Sequence, residues 1–584
     1  MNDRLAALRD GMAKAGVDGF LVPRSDEHLG EYVPPAGERL RWISGFTGSA
    51  GTALVLADRA VLWTDGRYTT QARQQLDPAA WELRHLVDDP PAAWMARHAS
   101  GLRIGHDPWL HPAPALAKLA EAGVTLVPLH PSPLDAAWTD RPAPPAAPLR
   151  AHGVEFAGEA AADKRARLAK ELDADAALLA DAHSVAWLLN LRGADLAHTP
   201  MALAFAILHA DATVQLFLHA PERAAAVAAH LGNGVAVAGR EALLPALRAL
   251  AGRRVRVDLD ATPAALVEAL RDGGAEVVAG EDPVRLPRAC KNPAEQQGAR
   301  DAQRRDAVAL ARFLHWLARE APGDGLSEVA AARRLLAFRR EVPGFAGESF
   351  PAIAGAGGNG AIVHYRATAA SDRRIRPDEC FLIDSGGQYP EGTTDVTRTV
   401  WTGPGPAPAA LRARYTAVLR GHVALATARF PEGVAGPHLD AIARRPLWEM
   451  GLDYDHGTGH GIGAFLSVHE GPVSISRAAK PVPLRAGMIL SDEPGFYLPG
   501  HYGIRIENLL LVREAARQPD QARPFLEFET LTLAPYSRAL LDPALLAPAE
   551  RAWVDAYHAR VRAEIGPLLD APARAWLEAE AAPL

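Results

Sequence analysis

FLIDSGGQYPEGTTDVTRTV, residues Phe381–Val400, decides how this chain is read. An apolar run ends in an acid, Asp384. The pair Gly386-Gly387 permits a turn. A second run returns from another acid, Asp395, with Val396, Arg398 and Val400 on one face. The spacing predicts an antiparallel hairpin that points Asp384 and Asp395 into one cleft. Facing carboxylates repel and raise each other's pKa unless a cation lies between them. Two solvated turn acids would read the same way, because aspartate is common in turns.

Downstream the same grammar continues: short strands, glycine turns and an acid at a strand end. GMILSDEPGFY places Glu493 just after the apolar strand Gly487–Leu490. A carboxylate there is costly unless it is paired or metal-bound. GIRIENLLLV puts Ile504 and Ile506 on one face, Arg505 and Glu507 on the other. Arg505 is then either the ion-pair partner of Glu507 or a group that orients it. Between the hairpin and these segments lies HGTGHGIG, where four glycines let the backbone around His456 and His460 pass close to a ligand, with His469 nine residues beyond His460. Asp384, Asp395, His460, Glu493 and Glu507 together form a hard-oxygen set with one imidazole. Such a set suits paired divalent cations, Mn²⁺ with Co²⁺ or Zn²⁺ as alternatives, and paired cations activate water for hydrolysis.

Upstream, KNPAE carries a helix start: Asn292 caps, Pro293 takes the first helical position and Glu295 completes a capping box. Ser327 caps a second helix over Glu328–Arg340. Helices and antiparallel strands mixed in one unit define an α+β class. That unit spans residues 290–525. A tail, 526–584, has Trp553, Tyr557 and Val561 at helical spacing, a stripe that packs on this unit or on a partner chain.

Two units precede it, over residues 1–138 and 151–285, joined by the Pro/Ala-rich linker Thr139–Arg150. The first opens with a helix and a strand at Gly19–Pro23, then two strands about a turn at Asp58-Arg59. DGFLVPRSDEH (Asp18–His28) is echoed by DADAALLADAHSVAWLL (Asp173–Leu189), which predicts a repeated α/β domain.

Bulk composition narrows the classes. At 584 residues the chain needs several domains. A net charge of −7 without a basic block argues against nucleic acid. No segment approaches the ~20 apolar residues of a membrane span. Two cysteines, Cys290 and Cys380, exclude a disulfide framework and fit a reducing compartment; the expected location is cytoplasmic.

HGTGHGIG, VHEGP (Val468–Pro472), SDEPGFY and GIRIEN resemble the metallopeptidase family of pita-bread fold that includes methionine aminopeptidase, prolidase, aminopeptidase P and creatinase. Within it the layout is similar to the long, three-domain aminopeptidase P type, which also matches SDEH (Ser25–His28), GFTGSAGT (Gly45–Thr52) and WTDGRY (Trp63–Tyr68). The resemblance implies two creatinase-like N-terminal domains before a pita-bread domain with a short C-terminal extension. It implies that Asp384 holds one metal, that Asp395 and Glu507 bridge two, and that His460 and Glu493 complete the other. A hydroxide shared by the metals would attack the Xaa-Pro carbonyl, with Glu493 shuttling its proton. His364 of GNGAIVHYR and His469 would bind substrate and steady the carbonyl; His456 would line the proline pocket; Arg505 and Arg67 would touch substrate, Arg67 across a domain or subunit boundary. The implied substrates are peptides with proline second, and the implied assembly is a homodimer. Prolidase is the alternative enzyme. A non-catalytic pita-bread binding module is the alternative outside enzymes, disfavoured because all five ligand positions are intact.

Overall fold

A computed structural model describes residues 2–323 and 325–584 and divides the chain into two compact units, Met1–Gly153 with Glu159–Arg285, and Val154–Gly158 with Leu286–Leu584. The first unit contains two six-stranded sheets built to one plan. After helix α1 (Asn2–Ala15), the first sheet is formed by β1 (Gly19–Pro23), β2 (Thr52–Leu56), β3 (Ala60–Thr64), β4 (Glu82–His85), β5 (Arg103–His106) and β6 (Thr125–Pro128). The second is formed by β7 (Ala176–Leu179), β8 (Ala204–His209), β9 (Val214–Leu218), β10 (Val235–Gly239), β11 (Arg254–Val257) and β12 (Glu276–Ala279). Their orders are β4-β3-β2-β1-β5-β6 and β10-β9-β8-β7-β11-β12. In each, the first three strands in sequence pair antiparallel and the flanking strands add in parallel. The weak echo between Asp18–His28 and Asp173–Leu189 therefore marks a duplicated fold. The central strands GFLVP and AALL are apolar runs because helices cover both faces.

The second unit starts at α2 (Pro293–Glu320), whose N-terminus has the capping box of Asn292 and Glu295, and α3 (Glu328–Arg340), capped by Ser327. Strands β13 (Ile353–Ala356), β14 (Cys380–Ser385) and β15 (Val396–Trp401) form an antiparallel sheet with β14 central. Two helices follow, α4 (Ala409–Ala426) and α5 (Gly436–Trp448), then the ribbon β16 (Gly459–His460) with β17 (Ser474–Ile475). Strands β18 (Ile489–Asp492), β19 (Gly495–Leu498), β20 (Tyr502–Arg505), β21 (Asn508–Glu514) and β22 (Phe525–Thr530) complete the unit: β19 pairs β20, and β21 pairs both β18 and β22.

One sequence expectation fails. β14 and β15 do pair, but Gly386-Gly387 does not make the turn between them. Residues Gly387–Tyr389 and Gly392–Thr393 form a smaller ribbon that reverses at Pro390-Glu391, and Gly387 also pairs with Glu348. Gly386 is needed for close approach instead: a Cβ there would lie 1.9 Å from the Thr394 carbonyl oxygen and 2.2 Å from Ser349 Oγ.

The C-terminal helices α6 (Pro548–Ile565) and α7 (Ala571–Glu580) pack on their own unit. Tyr557, Val561, Ile565 and Leu577 share one core with Tyr415 and Leu419 of α4 and with Phe496, Ile504 and Ile506. Trp553 stacks on Tyr557 at 5.4 Å, so the predicted stripe is filled from within the chain.

Candidate metal centre

Five strand ends deliver the acids and the imidazole to one place. Asp384 sits near the end of β14, Asp395 just before β15, Glu493 just after β18, and Glu507 in the crossing between β20 and β21. His460 on β16 is tied to the end of β18. Its backbone N–H donates to Ser491 Oγ at 3.0 Å, and the same hydroxyl donates to Glu493 Oε1 at 3.2 Å. This approach requires Gly459, whose Cβ would lie 2.0 Å from the Ser491 carbonyl oxygen.

Asp395, His460 and Glu507 each offer a ligand atom within 4.8 Å of the other two. His460 Nε2 lies 3.4 Å from Glu493 Oε1 and 3.7 Å from Asp395 Oδ2. Asp384, Asp395 and Glu507 are buried. Oδ1 of Asp384 and Oδ1 of Asp395 are buried and accept no hydrogen bond. Burial, then repulsion from Glu507, Asp384 and Glu493, pushes the Asp395 carboxyl well above its ordinary range. Burial and repulsion from Glu493 and Asp384 raise Glu507 likewise. Burial pushes Glu493 up to about 7. Three buried carboxylates, two with orphaned oxygens, together with half-buried Glu493 and one imidazole need positive charge at their centre, so the donor set fits hard divalent cations.

Arg505 does not pair with Glu507, as one reading of the sequence had it. Its Nη2 donates to Asp384 Oδ2 at 2.7 Å, its Nε to Thr397 Oγ1 at 3.2 Å and its Nη1 to Tyr497 OH at 2.7 Å. All three nitrogens of this buried guanidinium are engaged within the protein. Glu507 is held by Thr397, whose hydroxyl donates to Oε2 at 2.7 Å. Tyr497 OH meets His456 Nε2 at 2.8 Å, while His456 Nδ1 lies 2.8 Å from the Gly457 carbonyl oxygen. A carbonyl only accepts, so Nδ1 carries the proton and Nε2 accepts from Tyr497. A continuous chain thus runs Asp384–Arg505–Tyr497–His456.

His469 faces His460 edge-on, with ring centroids 4.2 Å apart. Its loop is gripped through Glu470, which accepts from Lys291 Nζ at 2.5 Å and pairs with Arg288 at 3.3 Å. His364 lies half-buried on the loop after the 3₁₀ turn Gly357–Ala361. That loop is anchored by Glu328, which accepts from Tyr365 OH at 2.8 Å and from Asn359 Nδ2 at 3.1 Å. The turn rests on β20: a Cβ on Gly503 would lie 1.8 Å from the Gly360 carbonyl oxygen. Arg67 belongs to the first unit. It forms a two-pronged ion pair with Asp65, at 3.0 and 2.7 Å.

Sequence reasoning missed Thr397, Tyr497 and Ser491. The alternation in TTDVTRTV held the signal for the first: Asp395, Thr397 and Thr399 occupy the face opposite Val396, Arg398 and Val400, and that face is the site.

The geometry agrees with what the chain is similar to. A model of metallopeptidase family M24 matches residues 297–514, models of the Creatinase/Prolidase N-terminal domain match 4–135 and 140–295, and a model of the C-terminal region of peptidase M24 matches 524–584. The chain belongs to metallopeptidase family M24, with duplicated creatinase-type N-terminal domains. A probable Xaa-Pro aminopeptidase P of Neosartorya fischeri is 40% identical over 610 aligned residues, covering 100% of this chain and 92% of the fungal one. The crystal structure of an X-prolyl aminopeptidase from Caenorhabditis elegans, described as a cytosolic enzyme with a di-nuclear active site, superposes with a TM-score of 0.93 at 32% identity, over 100% of this chain and 99% of that one. A prolidase from Pyrococcus horikoshii shares the fold over 64% of this chain and 99% of its own, at 24% identity and a TM-score of 0.50.

Proposed function

We propose that this protein removes the N-terminal residue from peptides whose second residue is proline, using two divalent cations, Mn²⁺ foremost, held by Asp384, Asp395, His460, Glu493 and Glu507. The observation that carries this reading is the convergence of Asp395, His460 and Glu507 within 4.8 Å in a chain similar along its whole length to Xaa-Pro aminopeptidases. When bound, such a metal pair supplies Lewis-acid activation of water and of the scissile carbonyl. The protein's own groups do the rest. Arg505 fixes the orientation of Asp384, and Thr397 that of Glu507. Glu493, beside Ser491 and His460, would accept a proton from the attacking water and return it to the leaving proline nitrogen. His469, beside His460, and His364, on its anchored loop, steady the carbonyl oxygen as charge develops. His456, fixed by Tyr497, walls the proline pocket. Arg67 supplies a substrate contact from the N-terminal region.

An Xaa-Pro bond is a tertiary amide without an N–H, so the enzyme must read ring shape and activate water strongly. The full-length likeness favours an aminopeptidase over a prolidase, whose structure has no counterpart for a third of this chain. The intact carboxylate set speaks against a binding module without catalysis. Among the described residues no helix is long and apolar enough to cross a membrane. The cysteines Cys290 and Cys380 are unbridged, in keeping with a cytoplasmic protein. The homodimer rests on the family resemblance alone.

The Mn²⁺-loaded protein should release arginine from Arg-Pro-Pro faster than from Arg-Pro. Preference for the dipeptide would replace the aminopeptidase reading with prolidase.

A further inference from the structure

Behind the acid cluster lies a second layer, made by the C-terminal extension. Glu507 falls between β20 and β21, so no strand ladder fixes its backbone. Two bonds to β15 replace the ladder. Its N–H donates to the Thr397 carbonyl at 3.1 Å. Its carbonyl accepts from Arg398 Nη1 at 2.7 Å, and the same nitrogen reaches the Thr397 carbonyl at 2.8 Å. The extension claims most of the rest of the Arg398 guanidinium: Nε donates to the Pro535 carbonyl at 3.0 Å, and Nη2 to the Ala534 carbonyl at 2.8 Å and to Tyr557 OH at 3.2 Å, while Nη2 also reaches Asn508 Oδ1 of β21 at 2.8 Å. Arg398 is 1% exposed, and among the described residues no carboxylate pairs with it. A buried guanidinium with neutral partners alone is costly to the fold. Its hold on the Glu507 carbonyl points to a role at the site.

A second strut reaches the other side. Tyr536 OH accepts from Asn508 Nδ2 at 2.9 Å and meets His422 Nε2 at 3.0 Å; His422 Nδ1 lies 3.1 Å from Asp492 Oδ2. Asn508 follows Glu507 and Asp492 precedes Glu493. Tyr536 and Tyr557 stack at 5.0 Å, and Arg398 lies over the Tyr536 ring at 4.8 Å, which joins the two struts.

We propose that the C-terminal extension is a positioning device for the metal centre: Arg398, Tyr557 and Tyr536 fix the backbone of Glu507 and Glu493 so that their carboxylates meet the cations at the required geometry. This rests on the reading of those two glutamates as metal ligands. Ligand carboxylates depend on outer partners for affinity as well as rate. Tyr557→Phe removes one hydroxyl and leaves the aromatic stack.

The test uses the full-length protein, stripped of metal and titrated with Mn²⁺ by calorimetry, with circular dichroism and elution volume as checks of folding. Tyr557→Phe should fold as the parent does, bind Mn²⁺ at least about tenfold more weakly, and lose kcat on Arg-Pro-Pro with KM unchanged. Parental Mn²⁺ affinity and kcat in folded Tyr557→Phe would overturn the proposal. If that variant does not fold, Tyr536→Phe, which leaves every carbonyl bound to Arg398 in place, decides on the same readouts. Glu507→Ala serves as reference. If it binds Mn²⁺ like the parent, the ligand reading itself fails; if it loses Mn²⁺ while the tyrosine variant does not, only the positioning role fails.

Discussion

Arg505 Nη2 lies 2.7 Å from Asp384 Oδ2, joining residues 121 positions apart in the chain. The contact orients a carboxylate whose other oxygen is buried and unpartnered. Arg505→Lys keeps a charge but cannot bind Asp384, Thr397 and Tyr497 at once. The variant should lose roughly 10–100-fold in metal affinity or kcat. Atomic absorption on the dialysed variant, beside steady-state kinetics, checks this; parental metal content and kcat would remove Arg505 from the metal centre.

The raised carboxyls fix a pH dependence. A carboxyl whose pKa is raised by folding stabilises the fold below its unfolded value, here about 4.5 for Glu493, and that contribution fades as pH rises through its folded value of about 7. Asp395 and Glu507, raised as well, act in the same direction. Cations remove the repulsion. The gain in Tm on adding Mn²⁺ to metal-free protein should therefore grow severalfold between pH 5 and pH 8. Scanning calorimetry at both pH values measures it, and an equal gain would contradict the charged, repelling cluster.

Lys291 and Arg288 hold Glu470 next to His469, and all three are buried. The Glu470 N–H also donates to the Gly461 carbonyl at 2.8 Å, beside His460. Lys291→Met should cost about 3 kcal/mol of stability by leaving a buried carboxylate half-paired. It should also lower kcat, because Glu470 follows His469 and is bonded to Gly461 beside His460. Lys291→Arg should restore most of both. Denaturant unfolding with kinetics on the two variants tests the grip.

How far the sequence reaches is clear from particular residues. Asn292-Pro293 and Ser327 mark their helix starts because capping is local chemistry, decided within four residues. The acids of the cluster are legible because each borders a strand-like apolar segment, where an unpaired charge is costly. The Asp384–Arg505 pair was not legible: the alternation put Arg505 beside Glu507, whereas strand pairing in space, which local spacing does not encode, brought it to Asp384. Gly386 misled for a similar reason. It looks like a turn residue, but the Thr394 carbonyl packs where its side chain would be.

Asp65 holds the Arg67 guanidinium, which the proposed function makes a substrate contact. Arg67→Ala should raise KM for Arg-Pro-Pro about tenfold, the scale of one lost charge-assisted hydrogen bond, with bound metal unchanged. An unchanged KM would return Arg67 to a purely structural ion pair.

The central claim, that five side chains from separate strand ends hold two cations on which Xaa-Pro cleavage depends, is tested most directly by one titration. Metal-free protein receives Mn²⁺ in steps while bound metal and arginine release from Arg-Pro-Pro are followed together. Activity should be absent in excess chelator, rise to a plateau at two metals per chain, and stay absent in Asp395→Asn with less metal bound. Full turnover without metal, or in Asp395→Asn, would contradict it.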